Sequence, residues 1–272
     1  MLKNDHGARA VGMGAAWVSV SGDPNATLYN PAHASAFEKF TASFGHTVFW
    51  ERIRAESGYI ASRLSSRLSA HGGIRFAVID DLEARRFPTS EPVALFDAHD
   101  VSFKAGLAYK VTGNVSAGFA LGWFVEKIEA WRGSAFNADF GVLVSPMTDL
   151  NLAASATNIG SDFYLEKEGL RGSRAISLPT TYRLGGSYRW RSSYLGALDI
   201  VIVDEEFHLH SGVEARIREL LALRTGYMFN YDTKNFTAGA SFTKRGLTVD
   251  YAFVPFTENL GTSHLFNITF TL

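Results

Sequence analysis

Two histidines close together near residue 209 are the first group in this sequence that could do chemistry. His208 and His210 are separated by one residue, so in a β-strand both imidazoles point to the same side. Three adjacent acidic residues, Asp204, Glu205 and Glu206, lie just before them in the chain, separated from His208 by Phe207. Imidazole and carboxylate groups at this spacing could hold a transition metal. A solvated strand end beside a hairpin turn gives the same pattern and is the favoured interpretation, so we expect no metal and no cofactor.

A glycine-rich segment near the start, Gly12-Met13-Gly14, has some likeness to a phosphate-binding loop. Such a loop follows a strand, has a third glycine and has a basic partner, and all three are missing here. We expect these glycines instead to permit close packing of the backbone.

Serine and histidine are frequent enough to raise the question of a hydrolase. Catalysis would need a serine, a histidine and an orienting group brought together, and the G-x-S-x-G elbow is absent. The remaining candidate histidines are scattered along the chain: His33, His46, His71, His99 and His264. The sequence therefore predicts a protein that is not an enzyme.

Composition excludes further classes. The net charge of the 272 residues is −1, which argues against nucleic acid as a partner, because phosphate binding needs a basic surface. Cysteine is absent, which excludes disulfides, thiolate metal sites and a cysteine nucleophile. No run approaches the roughly 18 apolar residues of a membrane-spanning helix. The polar start, residues 1–5, lacks an apolar signal core, so export requires that a signal was removed.

From residue 40 onward, apolar and polar residues alternate with period two. Phe266, Ile268 and Phe270 fall on one side of the last segment, and Asn267 and Thr269 fall on the other. One face is bulky and apolar, whereas the other is rich in glycine, alanine, serine and threonine. A soluble sandwich would expose charged residues, but a membrane barrel turns its large residues to lipid and its small ones inward. The pattern predicts an all-β transmembrane antiparallel barrel of about 14 strands over residues 40–272.

The predicted connections alternate in length. Tight links such as 191–193 follow even-numbered strands, and long links such as 81–98 follow several odd-numbered strands. Outer-membrane barrels have short periplasmic turns and longer extracellular loops. The sequence therefore predicts a barrel in the bacterial outer membrane, surrounded by lipid, with both termini periplasmic. Trp50, Trp123 and Trp131 would then lie near the outer rim, either as a partner surface or, as favoured, in the aromatic girdle.

The first 39 residues precede the barrel and differ from it. Asn30 followed by Pro31 is a helix-start signature and predicts a short helix to about Phe37. A barrel of 14 strands is too wide to be filled by its own side chains, so residues 1–39 are expected to fold into the lumen as a plug or hatch. The alternative, a disordered tail, fits poorly with so few charges.

Two groups of residues are singled out for this plug. Its motif positions are expected to act either as a gate or as a structural latch that holds the plug, and the latch is the favoured interpretation. These positions are Gly12, Gly14, Asp23, Asn30 and Pro31. Inward polar residues of the barrel are expected to satisfy the backbone of the plug: Asp139, Asn158, Arg183, Arg224 and Asp250.

The N-terminal stretch G-A-R-A-V-G-M-G-A-A-W-V-S-V, with D-P-N-A-T-L-Y-N-P-A after it, resembles the start of the PorV/PorQ family, which is FadL-like. Four further stretches resemble the family in order: A-A-S-A-T-N-I-G, L-P-T-T-Y-R-L-G, L-A-L-R-T-G-Y and V-D-Y-A-F-V-P-F. The resemblance implies a 14-stranded FadL-type barrel with an inserted N-terminal hatch. The chain departs from the usual pattern by ending in Leu272, because barrels of this kind usually end in an aromatic residue.

Three functions follow as hypotheses. The first is a non-enzymatic scaffold of the PorV type that binds another envelope or secreted protein, as in type IX secretion. The second is FadL-like passive transport of hydrophobic small molecules, which needs an apolar pocket beside the plug and a lateral break between strands. The third and most remote is a membrane-barrel enzyme with a cluster of titratable groups at its rim.

Overall fold

A computed structural model describes residues 1–49, 53–85 and 87–272 of the chain. Fourteen strands form one closed antiparallel barrel, because each strand pairs with the next one along the chain and the last strand pairs with the first. The prediction of a 14-stranded barrel is confirmed. The barrel strands are β1 Thr41–Val48, β2 Ile53–Arg63, β3 Leu68–Ala84, β4 Ala94–Lys110, β5 Val115–Ile128, β6 Trp131–Met147, β7 Leu150–Gly160, β10 Thr181–Trp190, β11 Tyr194–Val203, β12 Glu206–Ile217, β13 Leu221–Phe229, β14 Phe236–Lys244, β15 Leu247–Pro255 and β16 Thr262–Thr271. The labels β8 and β9 belong to a small hairpin, Glu166–Lys167 and Leu170–Arg171, that lies outside the barrel wall.

The period-two pattern sorts side chains between the two faces of the wall. In β16, Phe266 and Ile268 are 45% and 43% exposed, whereas Asn267 between them is 3% exposed. In β13, Leu223 points outward and Arg224 points into the barrel. The large apolar residues therefore cover the outside and the polar residues line the lumen, as in a barrel surrounded by lipid.

The two ends of the barrel differ in their connections. One end, the short-turn end, carries tight links at 64–67, 111–114, 148–149, 191–193, 218–220 and 245–246. The other, the long-loop end, carries the connections 85–93, 161–180, 230–235 and 256–261, together with the tight links 129–130 and 204–205.

Two irregularities lengthen or bend the strands. The predicted loop 81–98 is shorter than expected, because β3 and β4 continue their pairing past a register shift between Ile79 and Leu82, where Asp81 has a φ of 56°. Between β6 and β7 the register shifts at Asp139, and Asn158 has a φ of 59°. The backbone N–H of Asn158 donates to the Asp139 carboxylate at 2.7 Å. A bulge of this kind bends its strand and re-aims the side chains beside it.

A small hairpin occupies part of the long connection after β7. Its strands β8 Glu166–Lys167 and β9 Leu170–Arg171 pair with each other, and Glu166 also pairs with Arg132 at the start of β6. Nearby, Phe163 packs edge-on against Phe124 of the wall, with ring centroids 5.9 Å apart. The predicted loop therefore folds back onto the barrel.

The first 39 residues, the N-terminal segment, lie largely inside the barrel. The segment contains the short α-helix α1, Ala8–Val11, and two 3-10 helices, Pro24–Leu28 and Pro31–Ala36. The second 3-10 helix occupies the place of the predicted short helix, and the side chain of Asn30 accepts the N–H of Ala32 at 2.9 Å, as a cap does. No helix among the described residues is both long enough and apolar enough to cross a membrane.

The two chain ends lie toward opposite ends of the barrel, so the prediction that both termini are periplasmic is wrong. The N–H of Leu272 donates to the carbonyl oxygen of Phe40 at 3.0 Å, at the short-turn end. Lys3, in contrast, forms an ion pair with Asp204 in the tight link 204–205 of the long-loop end. The reason is that the N-terminal segment runs through the lumen from one end to the other before it joins β1.

Candidate functional site

A cavity of about 350 Å³ opens between the N-terminal segment and the wall at the long-loop end. We call it the apolar cavity, because its deep part is formed by Val11 of the segment and by Met228, Val254 and Leu265 of the wall. All four are at most 4% exposed, and they belong to one apolar cluster. A compact apolar molecule would be removed from water in this position.

The entrance of the apolar cavity carries aromatic and charged groups. Tyr231, in the connection between β13 and β14, stacks on His208 with ring centroids 3.9 Å apart and an interplanar angle of 9°. The Nε2 atom of His210 lies 3.0 Å from the Tyr231 hydroxyl. Burial raises the pKa of Tyr231 above its usual range, so this phenol stays neutral. Nζ of Lys234 lies 4.5 Å from the centroid of the same ring, so Tyr231 is held at the entrance by contacts with His208, His210 and Lys234.

The expectation that the two histidines form a solvated strand end is wrong. His208 is 3% exposed and His210 is fully buried, because both point into the lumen and pack against Tyr231. Nδ1 of His208 makes a hydrogen bond of 2.9 Å with the carbonyl oxygen of Asn230. Within the described ranges, no group of three or more histidine and carboxylate side chains is placed to hold a metal.

Asp5 ties the beginning of the N-terminal segment to the wall beside this entrance. Its carboxylate lies 3.2 Å from Nη2 of Arg183 and 3.0 Å from Nζ of Lys234. Burial alone would raise the pKa of Asp5, but the positive charges of Lys234 and Arg183 outweigh it and hold the pKa well below its usual range. Asp5 is therefore ionised, and it links the segment to β10 and to the connection after β13.

Further along the segment, wall side chains accept its backbone N–H groups. The carboxylate of Asp199 accepts from Trp17 at 2.7 Å and from Val18 at 2.8 Å. The side-chain oxygen of Asn267 accepts from Ala8 at 2.7 Å. These bonds satisfy buried donors that have no partner within the segment.

An ionic network holds the segment at greater depth. Glu214 of β12 pairs with Arg9 of the segment at 3.1 Å and with Arg224 of β13 at 2.7 Å. Arg224 also lies 3.4 Å from Asp250 of β15. Arg9, Arg224 and Asp250 also line a separate polar cavity of about 710 Å³, the vestibule, which lies at the short-turn end. The segment and this network therefore lie between the apolar cavity and the vestibule.

The wall approaches the segment most closely at glycines. A Cβ atom on Gly226 would overlap the backbone of Met13 and Gly14, and one on Gly141 would overlap the side chain of Asn30. Gly14 itself has a φ of 63°, and its N–H donates to the Thr237 hydroxyl at 2.9 Å. This close contact requires glycine on both sides.

The predicted motif positions of the segment all lie within this packing. The Cα of Gly239 would lie 3.1 Å from a Cβ on Gly12. One carboxylate oxygen of Asp23 accepts two bonds from Asn25, at 2.9 and 2.7 Å, and thereby caps the first 3-10 helix. Pro31 is buried at the start of the second 3-10 helix.

The five predicted lumen residues all face inward, but mostly to form ion pairs and wall contacts rather than bonds to the segment backbone. Arg183 alone among them reaches a segment carbonyl oxygen, that of Ala15, at 3.5 Å. Asp139 pairs with Lys104 of β4, and Nζ of Lys104 also donates to Asn158 at 2.9 Å.

The three tryptophans proposed for a rim surface have different outcomes. Trp50 lies outside the described residues. Trp123 points outward from β5 and lies in a row of rings with Phe103 and Phe136, whose centroids are 6.2 and 6.4 Å from that of Trp123. Trp131 begins β6 at the long-loop end. The placement of Trp123 fits a lipid-facing aromatic band.

Sequence reasoning missed the wall residues that bind the segment most directly. Asp199 and Glu214 are carboxylates at inward positions of otherwise apolar or small strands, L-G-A-L-D-I-V and H-S-G-V-E-A. A charged residue at an inward position of a plugged barrel signals a partner in the lumen, and that signal was available in the alternation of each strand.

Comparison with known proteins bears on the fold. The toluene transporter TbuX of Ralstonia pickettii matches with a TM-score of 0.69 at 14% identity, over 97% of this chain and 96% of that chain. The CymD monoaromatic hydrocarbon channel matches with a TM-score of 0.73 at 12% identity, over 98% and 97%. A FadL homologue of Pseudomonas aeruginosa matches with a TM-score of 0.60 at 10% identity, over 96% and 97%. The sequence matches no protein-family model and no curated protein.

At these identities the matches show the fold, which is that of the FadL-type barrels. They agree with the broader part of the resemblance found in the sequence, which is the likeness to FadL-type barrels. The narrower assignment to PorV/PorQ stays a prediction.

Proposed function

We propose that this protein is a bacterial outer-membrane barrel that lets a small hydrophobic molecule pass passively, and that the molecule binds in the apolar cavity. The observation that carries the proposal is the cavity itself. Its volume of about 350 Å³ lies within the range of about 300–1,000 Å³ typical of small-molecule sites, and its deep part is apolar. The solved structures with this fold include a toluene transporter and a monoaromatic hydrocarbon channel, which supports the same ligand class.

The N-terminal segment acts in this proposal as a hatch, and the 40–272 region acts as the barrel around it. Val11 of the segment forms part of the cavity floor, so movement of α1 would open the cavity toward the vestibule. Gly12, Gly14, Asp23, Asn30 and Pro31 act here as the latch that keeps the hatch closed, because they shape and pack the segment against the wall. No catalytic step is part of this function.

The test is binding and uptake of radiolabelled toluene by the full chain, in outer-membrane vesicles and in reconstituted liposomes. Leu265→Trp fills the cavity from the wall, and we expect it to reduce binding and uptake at least about tenfold, because the indole occupies the ligand volume. Ile268→Trp is the matched control, because Ile268 lies on the same strand but points outward. Equal uptake by both variants, or no saturable uptake by the unaltered protein, would sink the proposal.

The alternative is a scaffold that binds another envelope or secreted protein, as the PorV/PorQ resemblance implies. The solved structures that share this fold are hydrocarbon channels and transporters, so the scaffold function ranks second. Purification from native outer membranes in mild detergent separates the two. A stoichiometric second protein would favour the scaffold, whereas a lone barrel carrying a hydrophobic compound would favour transport.

A further inference from the structure

A third cavity, distinct from the vestibule and called the polar cavity below, lies next to the apolar cavity and has a different chemical character. Its volume is about 50 Å³, and it lies between the N-terminal segment and strands β3, β4, β7, β10 and β11. Asp5, His6 and Tyr29 line it from the segment, and Arg75, Lys104 and Arg183 line it from the wall. A space of this size is large enough for a small ion or a few waters, because one water needs about 10–15 Å³ measured in this way.

Most of the charges around the polar cavity are paired. Lys104 pairs with Asp139, and Arg183 pairs with Asp5. Asp139 is further engaged by the backbone N–H of Asn158 at 2.7 Å. Each of these two carboxylates is therefore already bound by at least one cation.

Arg75 is the exception. Its side chain comes from β3 and is only 4% exposed, yet it forms no hydrogen bond or ion pair with any residue in the described ranges. Its Nε atom is buried without a partner, and so is Nε2 of His6, which lines the same cavity. The local balance of Arg75, Lys104 and Asp139 is one positive charge in excess.

A buried guanidinium in this state is energetically costly. Arginine remains protonated inside proteins, so it cannot relieve the cost by losing its proton. A buried cation needs an opposite charge and hydrogen-bond acceptors close to it. Neither is supplied to Arg75 by the described residues, and the cavity in front of it has space for one small acceptor.

We propose that the polar cavity binds one small monovalent anion, of the size of chloride or a formate group, against the guanidinium of Arg75. The anion cancels the excess charge and accepts hydrogen bonds from Arg75. Because the cavity is lined by both the N-terminal segment and the wall, the bound anion joins the two. This site is separate from the hydrophobic ligand of the apolar cavity and holds the segment in place whether or not that ligand is bound.

The test is the heat-induced unfolding of the full chain in detergent, followed by the gel shift of the barrel. Ionic strength is kept constant, and sodium gluconate, whose anion is too large for the cavity, is exchanged for sodium chloride or sodium formate. We expect Tm to rise by about 2–4 °C with saturation, because a ligand that binds only the folded state stabilises it. A response to chloride identifies an inorganic ion, and a response to formate alone identifies a carboxylate group as the natural occupant.

Two variants make the test specific. Arg75→Met keeps much of the side-chain length but removes the charge, and we expect it to abolish the anion dependence. Arg67→Met is the matched control, because Arg67 is exposed in a turn of the short-turn end, and it should respond as the unaltered protein does. An anion-independent Tm in the unaltered protein, or the same dependence in Arg75→Met, would overturn the proposal.

Crystals of the unaltered protein grown with bromide give an answer that does not depend on the folding of a variant. An anomalous peak within hydrogen-bond distance of the Arg75 guanidinium supports the site. Absence of a peak there, in crystals that show bromide elsewhere, refutes it.

Discussion

The carboxylate of Asp199, in the middle of β11, accepts the backbone N–H of Trp17 at 2.7 Å, although the two residues are 182 positions apart in the chain. The same oxygen accepts the N–H of Val18 at 2.8 Å. One wall carboxylate therefore satisfies two successive donors of the N-terminal segment. A buried N–H group that loses its acceptor costs about 1–3 kcal/mol.

Asp199→Ala should loosen this part of the segment, because it leaves two buried N–H groups without an acceptor. We expect a loss of about 1.5–3 kcal/mol in the free energy of unfolding and faster hydrogen exchange at the Trp17 amide. Denaturant unfolding and exchange mass spectrometry measure the two effects. Asp149→Ala, in an exposed turn, should change neither. Unaltered protection at Trp17 would show that other contacts hold the segment.

Glu214 is the carboxylate at the centre of the deeper ionic network. Glu214→Gln removes the charge that Arg9, Arg216 and Arg224 share, and among the described residues it leaves Arg224 with Asp250 as its one ion-pair partner. Removing one partner of a buried pair costs about 3–5 kcal/mol, so we expect the free energy of unfolding to fall by about that amount and the unfolding midpoint to fall with it. The exposed Glu219, at the same end, provides the control variant Glu219→Gln. Equal midpoints for the two variants would contradict a stabilising role for the network.

Gly226 and Gly196 offer a matched pair for the contact between wall and segment. A Cβ on Gly226 would overlap Met13 and Gly14, whereas a Cβ on Gly196 would meet nothing within 4 Å. We expect Gly226→Ala to displace the segment and to raise single-channel conductance in planar bilayers, and Gly196→Ala to be silent. If neither variant has a higher conductance than the unaltered protein, the added methyl group of Gly226→Ala is accommodated by movement of the wall and not of the segment.

The barrel was predictable because its physical cause is local. In β16, the alternation of Phe266, Asn267 and Ile268 determines which side chains face lipid and which are buried. This alternation can be recognised in the sequence without any knowledge of distant residues. The cap formed by Asn30 was predictable for the same reason, because its hydrogen bond to Ala32 spans only two positions. The contacts that the N-terminal segment makes with the barrel wall could not be predicted in this way.

The path of the segment and the shape of the site depend on contacts between distant parts of the chain. The ion pair of Lys3 with Asp204 places the start of the segment at the long-loop end, and neither residue carries a periodic signal. The burial of His208 depends on Tyr231, which comes from a different connection. The cavity is the space that remains after all these contacts form, so only the assembled lumen reveals it.

Asp5 makes the attachment of the segment near the cavity dependent on acid. Its pKa in the folded protein lies below the ordinary value of 3.8, because Lys234 and Arg183 favour the charged carboxylate. A carboxylate with a lowered folded-state pKa stabilises the fold above the unfolded pKa, and that stability is lost as pH falls toward the folded value. The contribution of Asp5 is therefore complete above about pH 4 to 5 and decreases in more acidic solution.

Asp5→Asn isolates this contribution, because it keeps the size of the side chain and removes its charge. We expect the difference in Tm between the unaltered protein and Asp5→Asn to be constant from pH 7 to about pH 5 and to shrink as pH falls below 3.8. Asp232→Asn, at an exposed position three residues before the connection ends, controls for general charge effects. A difference that keeps its size throughout the acid range would mean that Asp5 acts through packing, because the loss of a proton-sensitive ion pair must follow its titration.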